Sequence, residues 1–108
     1  MIPQIAPKDV AAWRADQARV APVLVDVREP WEHERCRIEG SVLLPLAQLP
    51  ARHTELPAGR DLVLVCHHGG RSQQAAMWLA RIGHPSVYNL QGGVDAWAIE
   101  LEPAMQRY

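Results

Sequence analysis

Short runs of apolar, β-branched residues alternate along the chain with longer stretches in which apolar residues recur at helical spacing. The clearest runs predict strands at Val23–Val27, Leu62–Val65 and Val87–Leu90, with weaker ones near Ile2–Ile5 and Val42–Leu44. The stretches between them predict helices at Lys8–Arg19, Trp31–Arg35, Leu46–His53, Ser72–Ile82 and Val94–Ile99. This alternation is typical of an α/β fold with a mainly parallel central sheet and helices on both faces.

The helix predicted at Ser72–Ile82 has the best-defined ends. Ser72 is a natural N-cap residue, and Gly83 can end the helix in a left-handed turn. Short connections between alternating strands and helices require right-handed crossovers. Reactive groups in such sheets lie just beyond the carboxyl ends of the strands. The residues that follow each predicted strand are therefore the first candidates for a functional site.

Composition and charge narrow the class of protein. The chain has 108 residues, 48% hydrophobic and 21% charged, as expected for one globular domain spanning residues 1–108. The formal net charge is −1 and neither sign forms a block, which argues against a nucleic-acid or anionic-membrane surface. The sequence shows no secretory leader and no apolar run of membrane-spanning length. We therefore expect a cytoplasmic protein without nucleic-acid or membrane partners.

The segment Asp61-Leu-Val-Leu-Val-Cys-His-His-Gly-Gly-Arg-Ser72 carries the candidate chemistry. It reads as a strand, a tight loop and the start of a helix, with Cys66 at the end of the strand. Successive N–H groups in such a loop can converge on one point, and the helix adds its positive end. A helix end alone supplies only ~0.3–1 kcal/mol to an anion, so amide hydrogen bonds must supply the rest. The arrangement predicts that Cys66 acts as a thiolate nucleophile.

Three motifs together resemble one family. Cys66-His-His-Gly-Gly-Arg-Ser72 resembles the active-site loop of rhodaneses, the thiosulfate and persulfide sulfurtransferases. Val25-Asp-Val-Arg-Glu-Pro-Trp-Glu32 resembles the family's first signature, and Asn89-Leu-Gln-Gly-Gly-Val-Asp-Ala-Trp97 resembles its C-terminal signature. The resemblance runs from Val23 to Trp97 in the family's order and spacing. It implies a single rhodanese-like domain with its active-site loop at residues 66–71.

The resemblance also implies a persulfide cycle. Cys66 would take a sulfane sulfur from thiosulfate or a persulfide donor and pass it to cyanide, a thiol or a partner protein. The residues implied to bind the persulfide and the substrate are those of the loop, namely His67, His68, Gly69, Gly70, Arg71 and Ser72. Asp26 and Arg28 lie at the end of a neighbouring predicted strand and are candidate supporting or substrate-anion residues. No cofactor and no metal are expected.

Several of these residues also have plainer interpretations. Arg71 is expected to brace the loop or to bind a substrate anion. Asp26 and Arg28 form either a structural ion pair or a supporting pair in which Arg28 faces the substrate. His67 and His68 are predicted to shape the pocket mouth and to give it a pH-sensitive charge. A metal site is not expected there, because adjacent residues on a tight loop point in different directions.

Residues outside the loop are expected to serve the structure. Cys36 is interpreted as a packing or surface residue rather than a disulfide partner for Cys66. Gly92 and Gly93 are expected to serve backbone conformation. The segment Glu102–Tyr108 gives no indication of a role. Four tryptophans are expected to fill a core without phenylalanine, namely Trp13, Trp31, Trp78 and Trp97.

Other functions stay open beside the sulfurtransferase. A non-catalytic binding module would require the cysteine to be lost or the loop to be unable to hold a sulfur. Phosphatases and arsenate reductases that share this fold use a loop one residue longer than the four residues between Cys66 and Arg71. A sulfur-relay protein would use the same site with protein persulfides as donor and acceptor.

Overall fold

The computed structural model describes residues 1–108 and contains one five-stranded sheet. The strands are β1 (Gln4–Ile5), β2 (Val23–Asp26), β3 (Val42–Leu43), β4 (Leu62–Val65) and β5 (Val87–Leu90). They lie in the order β1-β5-β4-β2-β3, and every neighbouring pair is parallel. The parallel sheet predicted from the sequence is confirmed.

Five helices connect or follow the strands. They are α1 (Pro7–Ala15), α2 (Pro30–Arg35), α3 (Leu49–Arg52), α4 (Gly70–Arg81) and α5 (Gly93–Glu100). Single 3-10 turns, Leu46–Gln48 and His53–Glu55, flank α3. None of the helices combines the length and the apolar character needed to cross a membrane.

The core divides into two hydrophobic clusters because β4 is buried on both faces. Leu62 and Leu64 belong to one cluster, and Val63 and Val65 belong to the other. Successive side chains of a strand point to opposite faces, so the two clusters lie on opposite sides of the sheet. Residues of α4 complete the first cluster, whereas residues of α1 and α5 complete the second. The expectation of helices on both faces is confirmed.

Every predicted helix differs from the structure by at least one residue at an end, and the prediction over Leu46–His53 is α-helical only at Leu49–Arg52. The helix predicted over Lys8–Arg19 ends at Ala15. The Asp16 carboxylate accepts a hydrogen bond from the Ala18 N–H at 2.9 Å, and this local turn competes with further helix. The helix predicted over Ser72–Ile82 begins instead at Gly70. The expectation that all four tryptophans fill the core is wrong for Trp31, which is 59% exposed.

The strand register determines what gathers at the carboxyl edge of the sheet. Val65 of β4 pairs with Asp26 of β2, and Leu64 pairs with Asn89 of β5. Cys66 directly follows Val65, so it emerges between the ends of β2 and β5. The three motifs that carry the sequence resemblance therefore meet at one edge, as expected for a parallel sheet.

Candidate active site

Cys66 lies at the centre of this edge and is almost completely buried, with 1% of its surface exposed. Its Sγ accepts a hydrogen bond from the Gly69 N–H at 3.0 Å and lies 3.2 Å from the Ser72 Oγ. Gly69 has a φ of +111°, which folds the loop back toward the sulfur. We call the loop Cys66–Arg71 the active-site loop. The Gly69 N–H of this loop and the hydroxyl of Ser72, which follows it, therefore converge on one sulfur atom.

Helix α4 points its first turn at the same sulfur. Gly70, Arg71 and Ser72 are its first three residues, and N–H groups in a first turn lack intrahelical acceptors. Gly69 takes the N-cap position, so the expectation that Ser72 caps the helix is wrong. Because Gly69 adopts a left-handed conformation, the helix begins closer to the N-terminus than predicted, and the Ser72 hydroxyl is free to contact Cys66. The helix end and the hydroxyl both favour negative charge on the sulfur.

The start of α5 holds the other side of the active-site loop. The N–H of Val94 donates to the Cys66 carbonyl at 2.9 Å, and the N–H of Asp95 donates to the His67 carbonyl at 3.2 Å. Gly93 has a φ of +62°, and a Cβ there would overlap both carbonyl oxygens. The expectation that Gly93 serves backbone conformation thus acquires a physical reason: α5 must approach the loop at backbone distance.

Arg71 forms a bidentate ion pair with Glu32 of α2. Its two terminal nitrogens lie 2.7 and 2.8 Å from the carboxylate oxygens of Glu32. The Glu32 side chain is 4% exposed, whereas that of Arg71 is 38% exposed. Arg71 is therefore placed to brace the loop through its guanidinium, while part of its side chain remains at the surface. The hydrogen bonds from Arg71 lower the pKa of Glu32 to about 2, although burial acts in the opposite direction.

Asp26 and Arg28 form a separate ion pair that is sealed from solvent. The Arg28 Nη2 lies 2.7 Å from the Asp26 carboxylate, and both residues are 0% exposed. Arg28 also donates to the carbonyl of Cys36 at 2.6 Å and to the hydroxyl of Tyr108 at 2.7 Å. Burial opposes its charge, but the bonds to Asp26 and Tyr108 raise the pKa of Arg28 above its ordinary value. This placement favours the structural interpretation of the pair, since no part of Arg28 faces solvent.

Tyr108 links the two ion pairs. Its hydroxyl accepts from Arg28 and donates to the Glu32 carboxylate, each at 2.7 Å. Its ring stacks on His67 with the ring centres 3.9 Å apart. Burial raises the pKa of Tyr108 to about 12, so the phenol keeps its proton at neutral pH. The segment Glu102–Tyr108 thus runs beside the active-site loop.

The two loop histidines stack on each other, with their ring centres 3.9 Å apart. The expectation that they point in different directions is wrong. Burial lowers the pKa of His67, and the neighbouring His68 adds to that shift, so the neutral form of His67 is favoured. Donor atoms of His67, His68 and Asp95 lie within 4.8 Å of one another. The Asp95 carboxylate already pairs with Arg107 at 2.8 Å, which offsets the charge that a metal ion would require.

Cys36 lies on the other side of the sheet from Cys66. It belongs to the second core cluster, whereas Cys66 belongs to the first, and both thiols are free. With 8% of its surface exposed, Cys36 is a packing residue. The structure brings together Cys66, Gly69 and Ser72 at the sulfur and keeps Cys36 away from it.

Three residues that shape this site have no role predicted from the sequence. Glu32 is the acidic residue of the first motif, and Asn89 opens the third motif. The motifs therefore single out both positions, but they do not show which residues these side chains contact. Asn89 also interrupts the apolar run Val87–Leu90, which is a signal for a buried polar contact. Tyr108 carried no local signal, because its partner Glu32 is 76 positions away in the chain.

A buried cysteine in a glycine-rich loop at a helix start, on an α/β fold, is an environment of the kind in which reactive cysteines are found. A family model described as "Rhodanese-like domain" matches residues 6–100. A sulfurtransferase of Allochromatium vinosum is 38% identical over 98 residues, covering 91% of this chain and 90% of that protein. The thiosulfate sulfurtransferase GlpE of Pseudomonas syringae is 37% identical over 94 residues, covering 87% and 85%.

The structural comparison agrees with these matches. A rhodanese-related protein of Thermoplasma volcanium superposes with a TM-score of 0.83 at 27% identity, covering 94% of this chain and 95% of that one. Other relatives are longer, and the chain spans 26% of the length of a probable adenylyltransferase/sulfurtransferase of Mycobacterium tuberculosis. The chain belongs to the rhodanese-like domain family. Sulfur transfer is the role that family membership and the relatives' names support.

The Glu32–Arg71 pair predicts an acid-sensitive contribution to stability. The pKa of Glu32 is about 2 in the folded chain against its ordinary 4.5, so its contribution is complete above pH 4.5 and is lost as the pH falls toward 2. The shift corresponds to about 3 kcal/mol at neutral pH. Urea unfolding of the native chain and of Glu32→Gln across this pH range measures this contribution to the free energy of unfolding.

The difference in unfolding free energy between the two proteins should be largest near neutral pH and should shrink in acid. Exposed ion pairs such as Arg52–Glu55 are present in both proteins, so their titration cancels from the comparison. Parallel pH profiles for the two proteins would contradict the prediction.

Proposed function

We propose that this chain is a sulfurtransferase that carries a sulfane sulfur as a persulfide on Cys66. The observation that carries the proposal is the position of the Cys66 Sγ, 3.0 Å from the Gly69 N–H and 3.2 Å from the Ser72 Oγ. Hydrogen bonds of this kind to an anionic acceptor are worth about 1.5–3 kcal/mol each. They favour the thiolate before transfer and the persulfide anion after it.

The proposed cycle has two steps. The Cys66 thiolate attacks the outer sulfur of thiosulfate, a new S–S bond forms, and sulfite leaves with the electron pair of the broken bond. Cyanide or a thiolate then attacks the terminal sulfur of the persulfide. The Cys66 thiolate leaves with the electron pair of that S–S bond, so no external oxidant or reductant is consumed. This division of one transfer into two displacements is covalent catalysis.

The structure also supports a donor that is small and anionic. The guanidinium of Arg71 is anchored by Glu32 on one edge, and its side chain is 38% exposed. A fixed, partly exposed guanidinium can attract the sulfonate-like end of thiosulfate. A protein persulfide would reach the same sulfur, and we propose such a protein as the alternative donor or acceptor.

Phosphatase or arsenate-reductase chemistry fits the site less well. The Gly69 N–H bonds the sulfur itself, and Cys66 is 1% exposed. A loop that closes onto one sulfur atom leaves little room for a tetrahedral oxyanion above it. A purely binding role fits less well too, because the nucleophile and its hydrogen-bond donors are all present.

We also propose that residues 1–108 act as one catalytic domain and that the protein works in the cytoplasm. Both cysteines are free thiols, which suits a reducing compartment such as the cytoplasm.

Intact-protein mass spectrometry before and after thiosulfate tests the proposed function. We expect a gain of one sulfur atom that maps to Cys66 and disappears when cyanide is added, as thiocyanate forms. Cys66→Ser should take up no sulfur, whereas the matched control Cys36→Ser should behave like the native chain. A native chain that gains no sulfur from thiosulfate or from a persulfide donor would overturn the proposal and favour a binding module.

A further inference from the structure

One side chain, Asn89 of β5, contacts both residues that bond the Cys66 sulfur. Its Oδ1 lies 2.5 Å from the Ser72 Oγ, and its Nδ2 donates to the Gly69 carbonyl at 3.1 Å. Ser72 and Gly69 each lie within hydrogen-bonding distance of the Cys66 Sγ. Asn89 therefore reaches the sulfur along two separate paths without touching it.

The orientation of the Asn89 amide follows from its partners. The Gly69 carbonyl can only accept a hydrogen bond, so the Nδ2 of Asn89 must face it. The second proton of Nδ2 goes to the Gln4 Oε1 at 2.8 Å. The Oδ1 is then left to face Ser72 and to accept its proton. Asn89 is 3% exposed, and a buried amide with every group paired is held firmly in place.

The Ser72 hydroxyl has one proton and two acceptors within reach. When Cys66 is a neutral thiol, Ser72 can donate to the Asn89 Oδ1 while its oxygen accepts the thiol proton. When Cys66 is a thiolate or a persulfide anion, the same hydroxyl can turn its proton to the sulfur. Ser72 is 0% exposed, so water does not replace either partner. In the anionic state the Asn89 Oδ1 gives up the Ser72 proton to the sulfur, and the support that Asn89 still lends to the anion runs through Gly69: the Asn89 Nδ2 holds the carbonyl of the residue whose N–H bonds the sulfur.

We propose that Asn89 is a positioning residue for sulfur transfer. Its amide holds the Ser72 hydroxyl and the Gly69 backbone at the sulfur, and so controls how readily Cys66 becomes an anion. The part of this proposal that concerns transfer rests on the proposed function. The part that concerns the thiol does not, because it describes the reactivity of Cys66 before any donor is bound.

Alkylation of Cys66 by iodoacetamide tests the proposal without a sulfur donor. The comparison uses the Cys36→Ser background, so that Cys66 is the one thiol that reacts. We expect Asn89→Ala to lower the alkylation rate at neutral pH by about 10- to 100-fold, the range that corresponds to losing one hydrogen bond to an anion. The pH profile of the rate should move to higher pH. A loss of stability alone would not move this profile.

Two further variants complete the test, one as a substitute for Asn89→Ala and one as a control. Asn89→Asp has the size of the native residue and serves where the alanine variant does not fold. Its carboxylate cannot donate to the Gly69 carbonyl and repels an anionic sulfur, so the rate should fall further. Tyr88→Phe is the matched control, because Tyr88 neighbours Asn89 on β5 and points to the other face of the sheet, so its alkylation rate should be native.

Steady-state kinetics provide a second readout. In sulfur transfer from thiosulfate to cyanide, Asn89→Ala should lower kcat with little change in KM, since the Arg71–Glu32 pair is untouched. In a Ser72→Ala background, Asn89→Ala should still lower kcat, because the path through the Gly69 carbonyl remains.

The outcomes separate the two proposals. Folded Asn89 variants that react with iodoacetamide at the native rate across the pH range would overturn the role of Asn89. A native chain that takes up no sulfur would overturn the proposed function instead, while the alkylation comparison would still decide whether Asn89 sets the reactivity of Cys66.

Discussion

Replacing Gly93 with alanine is expected to lower sulfur transfer by about 100-fold or more and to destabilise the fold. Gly93 has a φ of +62°, and an added Cβ would overlap the carbonyl oxygens of Cys66 and His67. Those carbonyls accept hydrogen bonds from the first turn of α5, so the helix and the active-site loop must move apart. A displacement of about 1 Å at a reacting group is enough to cost ~100-fold in rate.

The stability cost of this substitution has two sources. A left-handed backbone costs a non-glycine residue roughly 1–2 kcal/mol, and overpacking adds about 1–3 kcal/mol. Gly59→Ala isolates the first source, because Gly59 has a φ of +75° with no atom within 4 Å of the added Cβ. Thermal or urea unfolding should therefore show that Gly93→Ala is much less stable than Gly59→Ala.

The two glycine variants should also differ in their rate of sulfur transfer. Gly59→Ala should transfer sulfur at the native rate, since Gly59 lies away from the loop. Equal stability and equal activity of the two variants would show that the close approach of α5 to the active-site loop is unimportant.

The strands that position the site were predictable because of how they are buried. Leu62–Val65 and Val87–Leu90 have the same bounds in the sequence prediction and in the structure. A parallel strand covered on both faces is apolar at nearly every position, as Leu62–Val65 is, and this makes its limits visible in the sequence. Cys66 could be placed at the end of a central strand for the same reason.

The start of α4 could not be predicted from residue preferences. Serine is a strong N-cap residue, yet Ser72 lies inside the helix and contacts Cys66 instead. The preference was overridden because Gly69 adopts a left-handed conformation that directs its N–H to the sulfur. Local propensity yields here to the geometry of the active-site loop.

The contacts that brace the loop depend on residues far apart in the chain. Glu32 is 39 positions from Arg71 and 76 positions from Tyr108. No periodicity or spacing relates such residues, so their contacts become visible only when the sheet order is known. The same holds for Asn89, whose partner Gln4 is 85 positions away.

Removing the carboxylate of Asp26 is expected to destabilise the chain by about 3–5 kcal/mol, since it leaves the buried charge of Arg28 without its counterion. Folded domains are stable by only about 5–15 kcal/mol, so Asp26→Ala should unfold at a much lower temperature or denaturant concentration. Both residues are 0% exposed, and water cannot replace the lost partner. Glu55→Ala, which breaks the exposed pair with Arg52, should change the stability little.

A second substitution distinguishes an uncompensated charge from a simple loss of packing. Asp26→Ala combined with Arg28→Met removes the charge as well as its partner and should recover part of the stability. Recovery will be incomplete, because the hydroxyl of Tyr108 and the carbonyl of Cys36 also lose their contacts with Arg28. If the double variant were no more stable than Asp26→Ala, the cost would lie in the carboxylate's own contacts. Partial recovery with sulfur transfer retained would identify the pair as a structural support beneath the site rather than a group that binds the substrate.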